Sequence, residues 1–383
     1  EAFLLSQAEF RHNVITHHCE IRWTEEAGFL PLTDRDVNTL WGRMNKTVGR
    51  VYLTDIYNVI HSEFVPLFNP FQSYFDHLPS WDGVSDPIGD LADTVHVKSD
   101  QAEFRDYFRK WFVGILPALL DDTVVNHEIL VLIGEQGLYK TTWFNFLLPP
   151  ELRCYFYTKT NSDRLNKDDL FSLTEFALIC FEELDGMRPA ELNQLKAMVT
   201  MPYVNERAAY GRNKERHPHI ASFCGTGNNV QFLTDPTGNR RWLPFEVSQI
   251  RDPHLHAIPY ELVYSQAYAL WKSGFCHWFS QEEIRKLNMH NSRFEVPNLE
   301  EDLIRTHFRK PFEGEAGIFV TAADILEQIS SCLRYPLSPN KIGRIMAGLE
   351  FESIRYKGKR GYITVKKTGE DIDRERRSGA LGL

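Results

Sequence analysis

At 383 residues the chain is longer than one hydrophobic core usually organises, so two or three domains are expected. Its 43% apolar and 25% charged residues are those of a folded globular protein and exclude global disorder. A net charge of −9 excludes a general attraction to nucleic acid, so any basic binding surface must be local.

Apolar runs fall well short of the roughly 18 residues of a membrane span; WFVGILPALL, 111–120, is about half that length and no membrane partner is expected. The six cysteines (Cys19, Cys154, Cys180, Cys224, Cys276 and Cys332) are dispersed without a C-x-x-C pair. That argues against a disulfide framework or zinc site and for a reducing, cytoplasmic compartment. His17, His18 and Cys19 are metal-ligand types, but no second cluster follows to complete a site. The chain opens at Glu1 without a Met or a secretory pattern and reads as part of a longer protein.

Residues 1–125 alternate amphipathic helical stretches with turns and are expected to form a mainly helical domain. Within them NPFQSYFDHLPSWDG, 69–83, places aromatics between Pro and Gly breaks, where they can staple one helix to the next. From 126 to 250 short apolar runs alternate with helical ones, the pattern of a parallel sheet covered on both faces. Strands are expected at 129–133, 154–157, 177–181, 220–224 and 242–247. Residues 251–300 read as a helical connector or lid, 301–370 as a winged-helix-like domain, and 371–383 as a mobile tail.

The stretch ILVLIGEQGLYKTTWFNFLL, 129–148, runs from an apolar strand through a glycine loop into a helix. Gly134, Lys140 and Thr141 hold the G-x-x-x-x-G-K-[ST] spacing, with Tyr139 where the second glycine belongs. Loop amides and the first turn of such a helix attract phosphate. The expected nucleotide-binding set is Gly134, Glu135, Gln136, Gly137, Leu138, Tyr139, Lys140, Thr141 and Thr142, with Lys140 on the terminal phosphates and Thr141 on Mg²⁺. Gly137 still permits the sharp loop. Tyr139 removes glycine's positive-φ freedom but not its amide. It is expected in the first helical turn at a helical φ, its ring beside the loop.

Further along, FALICFEELDGM, 176–187, is an apolar strand ending in acids. Glu182 is assigned to Mg²⁺ and Glu183 to the attacking water, with Asp185 as a further candidate. In RAAYGRNKERHPHIASFCGTGN, 207–228, a basic turn (Arg207, Arg212, Lys214, Arg216) with Tyr210 suits a nucleic-acid backbone and stacked base. Asn228, at the tip of the following strand, suits contact with the γ-phosphate or water. FLTDPTGNRRWLPFEV then places Arg240 and Arg241 at a strand start. Arg240 is preferred as a finger acting in a neighbour's site, with Arg241 as nucleotide sensor or structural ion-pair partner.

This set resembles the virulence-associated protein E family of mobile-element proteins, P-loop ATPases related to superfamily 3 helicases and AAA+ proteins. The resemblance spans most of the chain through NPFQSYFDHLPSWDG, GEQGLYKTT, LICFEELDG, NERAAYGR, GTGN and DPTGNRRW, in that order. It implies an α/β fold with an AAA+/superfamily 3 helicase-like core, using ATP and Mg²⁺. It also implies a homo-oligomer, a hexameric ring, that moves along or opens DNA, single-stranded or at a fork. Tyr139 and Glu182 depart from the general pattern, which bears on turnover more than on fold. Priming would need a primase supplied by a preceding segment or a separate protein.

Toward the C-terminus a helix is expected after Thr321 and another capped by Ser338, followed by a hairpin in FESIRYKGKRGYITVKK. Residues 341–367 carry eight Lys or Arg against two Glu, a net of +6, with Lys357, Lys359 and Arg360 at the hairpin. Such a surface favours salt-sensitive contact with backbone phosphates. Three readings stay open: a DNA-associated motor ATPase of a bacterial mobile element, a regulator that binds ATP but scarcely hydrolyses it, and a small-molecule P-loop kinase.

Overall fold

The structure, a computed structural model, describes residues 1–26, 28–160, 167–206, 215–234, 239–296, 299–312, 314–330 and 339–371. The chain forms two compact units, Glu1–Glu295 and Val296–Leu383.

The first unit begins with helix α1 (Ala2–Gln7) and strands β1 (Ala8–Asn13), β2 (His18–Trp23) and β3 (Leu30–Pro31). Helices α2 (Asp34–Thr47) and α3 (Leu53–Ile60) precede β4 (Leu67–Phe68), and the four strands form a sheet in the order β3-β2-β1-β4. Among the described residues, 1–125 carry six helices, and to the helical character expected of them the structure adds this sheet. The strands escape sequence reading because their apolar alternation is weak. Their register is instead marked by opposite charges facing across the pair, Arg11 against Glu20 and Arg22 against Glu9.

Next, Asn69 caps α4 (Pro70–Asp76), accepting from the amides of Phe71 and Gln72 at 2.9 and 3.1 Å. Phe71 and Phe75 are buried, and Phe75 stacks on Tyr268 at 5.8 Å, the stapling expected of this aromatic stretch. Then come α5 (Pro87–Ala92), β5 (Val95–Val97) and α6 (Gln101–Leu120). The apolar run 111–120 is the buried half of α6 rather than a truncated span. Trp111 is fully buried and its indole donates to the Phe223 carbonyl at 2.9 Å. No helix among the described residues is long and apolar enough to cross a membrane.

The central sheet comes next. Its strands are β5, β6 (Ile129–Ile133), β7 (Phe156–Lys159), β8 (Leu178–Phe181), β11 (Ser222–Gly227) and β12 (Trp242–Ile250); β9 (Tyr203–Glu206) and β10 (Glu215–Pro218) form a separate antiparallel pair. The order is β5-β12-β6-β11-β8-β7, parallel throughout except for β5. Helices α7 (Lys140–Leu147), α8 (Lys167–Glu175), α9 (Pro189–Val199), α10 (Tyr260–Lys272) and α11 (Gln281–Asn291) complete the unit. Every residue of β6 is buried. Leu130 and Leu132 join the core containing α6 and α10, whereas Ile129, Val131 and Ile133 join the one containing α9. The mixed α/β fold with a parallel sheet covered on both faces thus follows from a strand with no polar side.

The second unit runs α12 (Leu299–His307), β13 (Phe308–Arg309), β14 (Ile318–Val320), α13 (Ala322–Ser330), α14 (Pro339–Gly348), β15 (Ser353–Tyr356) and β16 (Lys359–Lys366). Thr321 and Asp324 cap α13; the expected cap Ser338 lies outside the described residues. The core is Ile304, Phe308, Ile325, Ile329, Ile342, Ile345, Met346, Phe351 and Tyr362. β15 and β16 form the expected hairpin through a two-residue turn with Lys357 at φ 48 and Gly358 at φ 79, the type I′ geometry that matches strand twist.

A polar cleft at the carboxyl ends of the parallel strands

The parallel register fixes which residues meet. Gly227 pairs with Ile133, so β6 and β11 end level, and Gly225 pairs with Phe181, so β8 ends two residues earlier at the same edge. The segments leaving these strands therefore share one edge: the 134–139 loop, Asn228, and the pair Glu182 and Glu183. They border a cleft of about 360 Å³. Gln136, Gly137, Leu138, Tyr139, Lys140, Thr141 and Thr142 line it together with Glu182, Glu183 and Asn228. Open α/β sheets bind their ligands at this edge.

The loop is shaped by close backbone approach. The Gly134 amide donates to the Gly227 carbonyl at 3.1 Å. A Cβ at Gly134 would come within 2.9 Å of the Val247 carbonyl oxygen, so a side chain there would push the loop off the sheet. Gly137 has φ 84, a backbone that suits glycine. Tyr139 is the N-cap of α7 at φ 60, ψ 19, and its carbonyl accepts the Trp143 amide at 2.7 Å. The expectation of a helical φ for Tyr139 is overturned. Packing of Gly134 against the sheet and the start of α7 together impose the left-handed conformation on a tyrosine, at a cost of about 1–2 kcal/mol. The backbone there is the one glycine would supply. The residue is 42% exposed.

Lys140 is 8% exposed. Its ammonium donates to the carbonyls of Gly134 at 2.6 Å and Glu135 at 2.7 Å and reaches Asn228 Oδ1 at 3.5 Å. Burial lowers its pKa, opposed by the charge of Asp185. Thr141 Oγ1 donates to Glu182 Oε1 at 2.8 Å. Glu183 adopts φ 55, ψ 44, a second strained residue on the same cleft. The Asp185 carboxylate accepts from the amides of Asn228 and Asn229 at 3.1 Å each and from Asn229 Nδ2 at 2.7 Å. It clamps the turn carrying Asn228, a function its position just past the strand end does not announce. A hydroxyl beside a carboxylate is a hard-oxygen pair suited to a hydrated divalent cation. An ammonium within a loop of amides at a helix start suits an anion.

Arg240 and Arg241 are not brought to this cleft. They close a short 3-10 turn, Asn239–Arg241, just before β12, whose Trp242 pairs with Ile129. That is the opposite end of β6, roughly 16 Å or more from the loop at about 3.3 Å per residue. The turn is held firmly. Fully buried Asn291 donates to the carbonyls of Asn239 (2.8 Å) and Trp242 (3.0 Å), and Asn239 donates to Glu295 (2.8 Å). Next to Asn291, His290 lies between Glu103 Oε2 at 2.9 Å and the Pro244 carbonyl at 2.7 Å. Burial and the neighbouring Arg240 lower the pKa of Arg241, and burial raises that of half-buried Glu128 to about 7. These anchoring residues carry no motif, and sequence reasoning misses them.

Of the expected nucleic-acid residues, Arg207, Tyr210, Arg212 and Lys214 lie outside the described residues. Lys357, Lys359 and Arg360 are exposed on the β15–β16 hairpin, with Arg360 Nε donating to Ser353 Oγ at 3.0 Å. Lys341 is engaged in an ion pair with Glu300.

The fold and cleft define a mixed α/β protein with a largely parallel sheet and a polar cleft at its carboxyl edge. Its family is shown by sequence: the virulence-associated protein E-like domain matches residues 76–296, more than half of the chain, and the chain belongs to that family. No curated protein matches it. Solved structures similar to it include the apo C-terminal region of NrS-1, at 12% identity and TM-score 0.49, covering 96% of this chain and 98% of that one. Another, titled SCCmec type IV Cch, active helicase, has 11% identity and TM-score 0.40, covering 98% of this chain and 95% of that one.

Proposed function

We propose that the chain is an ATP- and Mg²⁺-dependent, DNA-associated motor ATPase, helicase-like, acting in the replication of a bacterial mobile element within the cytoplasm. The observation that carries this reading is the convergence of Lys140, the Thr141–Glu182 pair and Asn228 on one cleft behind a glycine-shaped loop. Tyr139 supports it, because the loop keeps glycine's backbone in spite of the side chain.

The residues fit both ligands. In this reading the amides of 135–141 and the Lys140 ammonium bind the phosphates, the ammonium exchanging its two carbonyl acceptors for phosphate oxygens. Thr141 and Glu182 hold Mg²⁺, which when bound neutralises charge on the phosphates. Glu183 orients and deprotonates the attacking water, and Asn228 contacts the γ-phosphate or that water. Arg240, set on the far edge of the sheet, serves a neighbouring subunit's cleft in a hexameric ring; Arg241 supports it or senses nucleotide there. We assign 1–125 as an N-terminal domain, 126–250 as a P-loop core, 251–300 as a lid, and 301–370 as a winged helix. The helix–strand–strand–helix–helix–hairpin order of that last section supports the assignment, and its exposed basic hairpin supports contact with DNA. A primase would be a partner or a preceding segment.

The test is ATP hydrolysis with and without single-stranded DNA. DNA-stimulated hydrolysis lost in Lys140→Ala is expected. Hydrolysis indifferent to DNA in a monomer would point to a small-molecule kinase, and binding without turnover to a regulator.

A further inference from the structure

The sheet of the second unit has one face on the core and one turned from it. Tyr362 of β16 belongs to the core, and its ladder partners are Val320 and Ser353. Side chains alternate along a strand, so the next pairs in register lie on the other face. These are Phe319 opposite Ile363, Ile354 opposite Gly361, and Tyr356 opposite Lys359. None of their apolar side chains is part of that core, and Tyr356 is 52% exposed.

Two aromatic rings meet on this outer face. Phe319 and Tyr356 come from strands on opposite edges of β16, yet their centroids are 5.4 Å apart at 53°. They reach each other over Gly361. A Cβ there would lie 2.6 Å from Phe319 Cζ, so any other residue would push the ring off the strand.

Cations flank the pair. The Lys357 ammonium stands 5.3 Å from the Tyr356 ring centroid, and Lys359 is the ladder partner of Tyr356. Residues 353–367 carry Arg355, Lys357, Lys359, Arg360, Lys366 and Lys367 and no acid, in a chain of net charge −9. A lone exposed tyrosine needs no explanation. A ring pair on the outer face of a sheet, inside a local positive field, does.

The charge selects a polyanion, and the rings select what that polyanion exposes. A duplex presents phosphates and groove edges, but stacking hides the faces of its bases. A single strand offers phosphates and free base faces together.

We propose that this sheet face binds single-stranded DNA, with a base stacked on Tyr356 beside Phe319 and the flanking phosphates on Lys357 and Lys359. The proposal rests on the DNA contact of the reading above and not on hydrolysis; it adds the state of the strand and the aromatic groups that recognise it. Every base has a face to stack, so the preference is for unpaired strand rather than for sequence.

Fluorescence anisotropy of the full chain without nucleotide tests it. The ligands are a labelled oligothymidylate of about 20 nucleotides, an abasic strand of equal length and a duplex of equal length. Tyr356→Ala is expected to weaken oligothymidylate binding about tenfold and to leave the abasic strand within about twofold, while Tyr356→Trp keeps the parental affinity. Lys357→Ala/Lys359→Ala should weaken all three ligands and flatten the salt dependence. With iodouracil in the strand, irradiation should crosslink Tyr356 or Phe319. Tyr356 is exposed, and unchanged melting of its variants confirms that fold is not what changed.

An oligothymidylate affinity unaltered in Tyr356→Ala, an equal loss for the abasic strand, or crosslinks only at other residues overturns the proposal. If the lysine variant alone weakens binding, the DNA contact stands and the stacking falls; if the parent binds no strand at low salt, both fall. A changed oligomeric mass in Tyr356→Ala with unaltered DNA affinity identifies another chain as the occupant of this face, and overturns it too.

Discussion

The two ends of the central sheet are built on opposite plans. At the carboxyl end the backbone itself is unusual: Gly134 cannot carry a Cβ, and Tyr139 and Glu183 hold left-handed conformations. At the amino end the backbone carrying Arg240 and Arg241 is held from outside, by Asn291 and Glu295. The difference teaches where functional information lies. A loop that aims its own amides is written in a short motif. A pair of side chains carried on a turn depends on partners about 50 residues distant in the chain that hold that turn.

Removing the cleft's ammonium should have the largest effect. Lys140→Ala is expected to lower ATP hydrolysis by about 10²-fold or more, as loss of a transition-state charge does elsewhere. Its melting temperature should hold or rise, because burial already disfavours this charge. Hydrolysis within about threefold of the parent would break the assignment of this end.

At the opposite end, Asn291→Ala leaves two carbonyls unsatisfied in a fully buried place, costing about 2–4 kcal/mol by urea unfolding. A loss below about 0.5 kcal/mol, on the order of a surface change, would mean that the arginine turn is not anchored as described.

The Glu103–His290 contact gives the same end a pH signature. The hydrogen bond from His290 holds the Glu103 carboxyl below its usual range, opposed by burial. A depressed carboxylate contributes stability above its unfolded pKa of about 4.3 and loses it as pH falls through the folded value. The stability gap between parent and Glu103→Gln should therefore be largest near neutrality and narrow below about pH 4. A gap that is flat from about pH 7 to about pH 3 would contradict the hydrogen bond.

The smallest effect is at Tyr139. Tyr139→Gly should gain up to about 1 kcal/mol from released strain, partly offset by glycine's larger unfolded-state entropy. Tyr139→Ala, which keeps the strain, should gain nothing. Equal stability of the two variants would show that the strain is negligible.

These contrasts also explain what is legible in the sequence. The strand 129–133, the loop and the helix after it are local, and the structure has that strand with the same bounds. The strand expected at 220–224 extends to Gly227 because β11 pairs on both sides, with β6 and β8. The one expected at 154–157 begins at Phe156, where pairing with Leu178 sets the register. β1 and β2 read as helical in sequence because their pairing rests on cross-strand charges. The φ of Tyr139 departs from expectation because residue propensity yields to the loop's surroundings. His290, Asn291 and the role of Asp185 leave no local pattern, since each acts on backbone from another element.

The central claim is that the two ends of the sheet serve one reaction in different subunits, and mixing variants tests it most directly. Lys140→Ala and Arg240→Ala should each lose DNA-stimulated hydrolysis alone, and equimolar mixing should restore part of it by pairing an intact cleft with an intact arginine. Mixtures no more active than the sum of the separate variants, under conditions where the parent assembles, would contradict the claim.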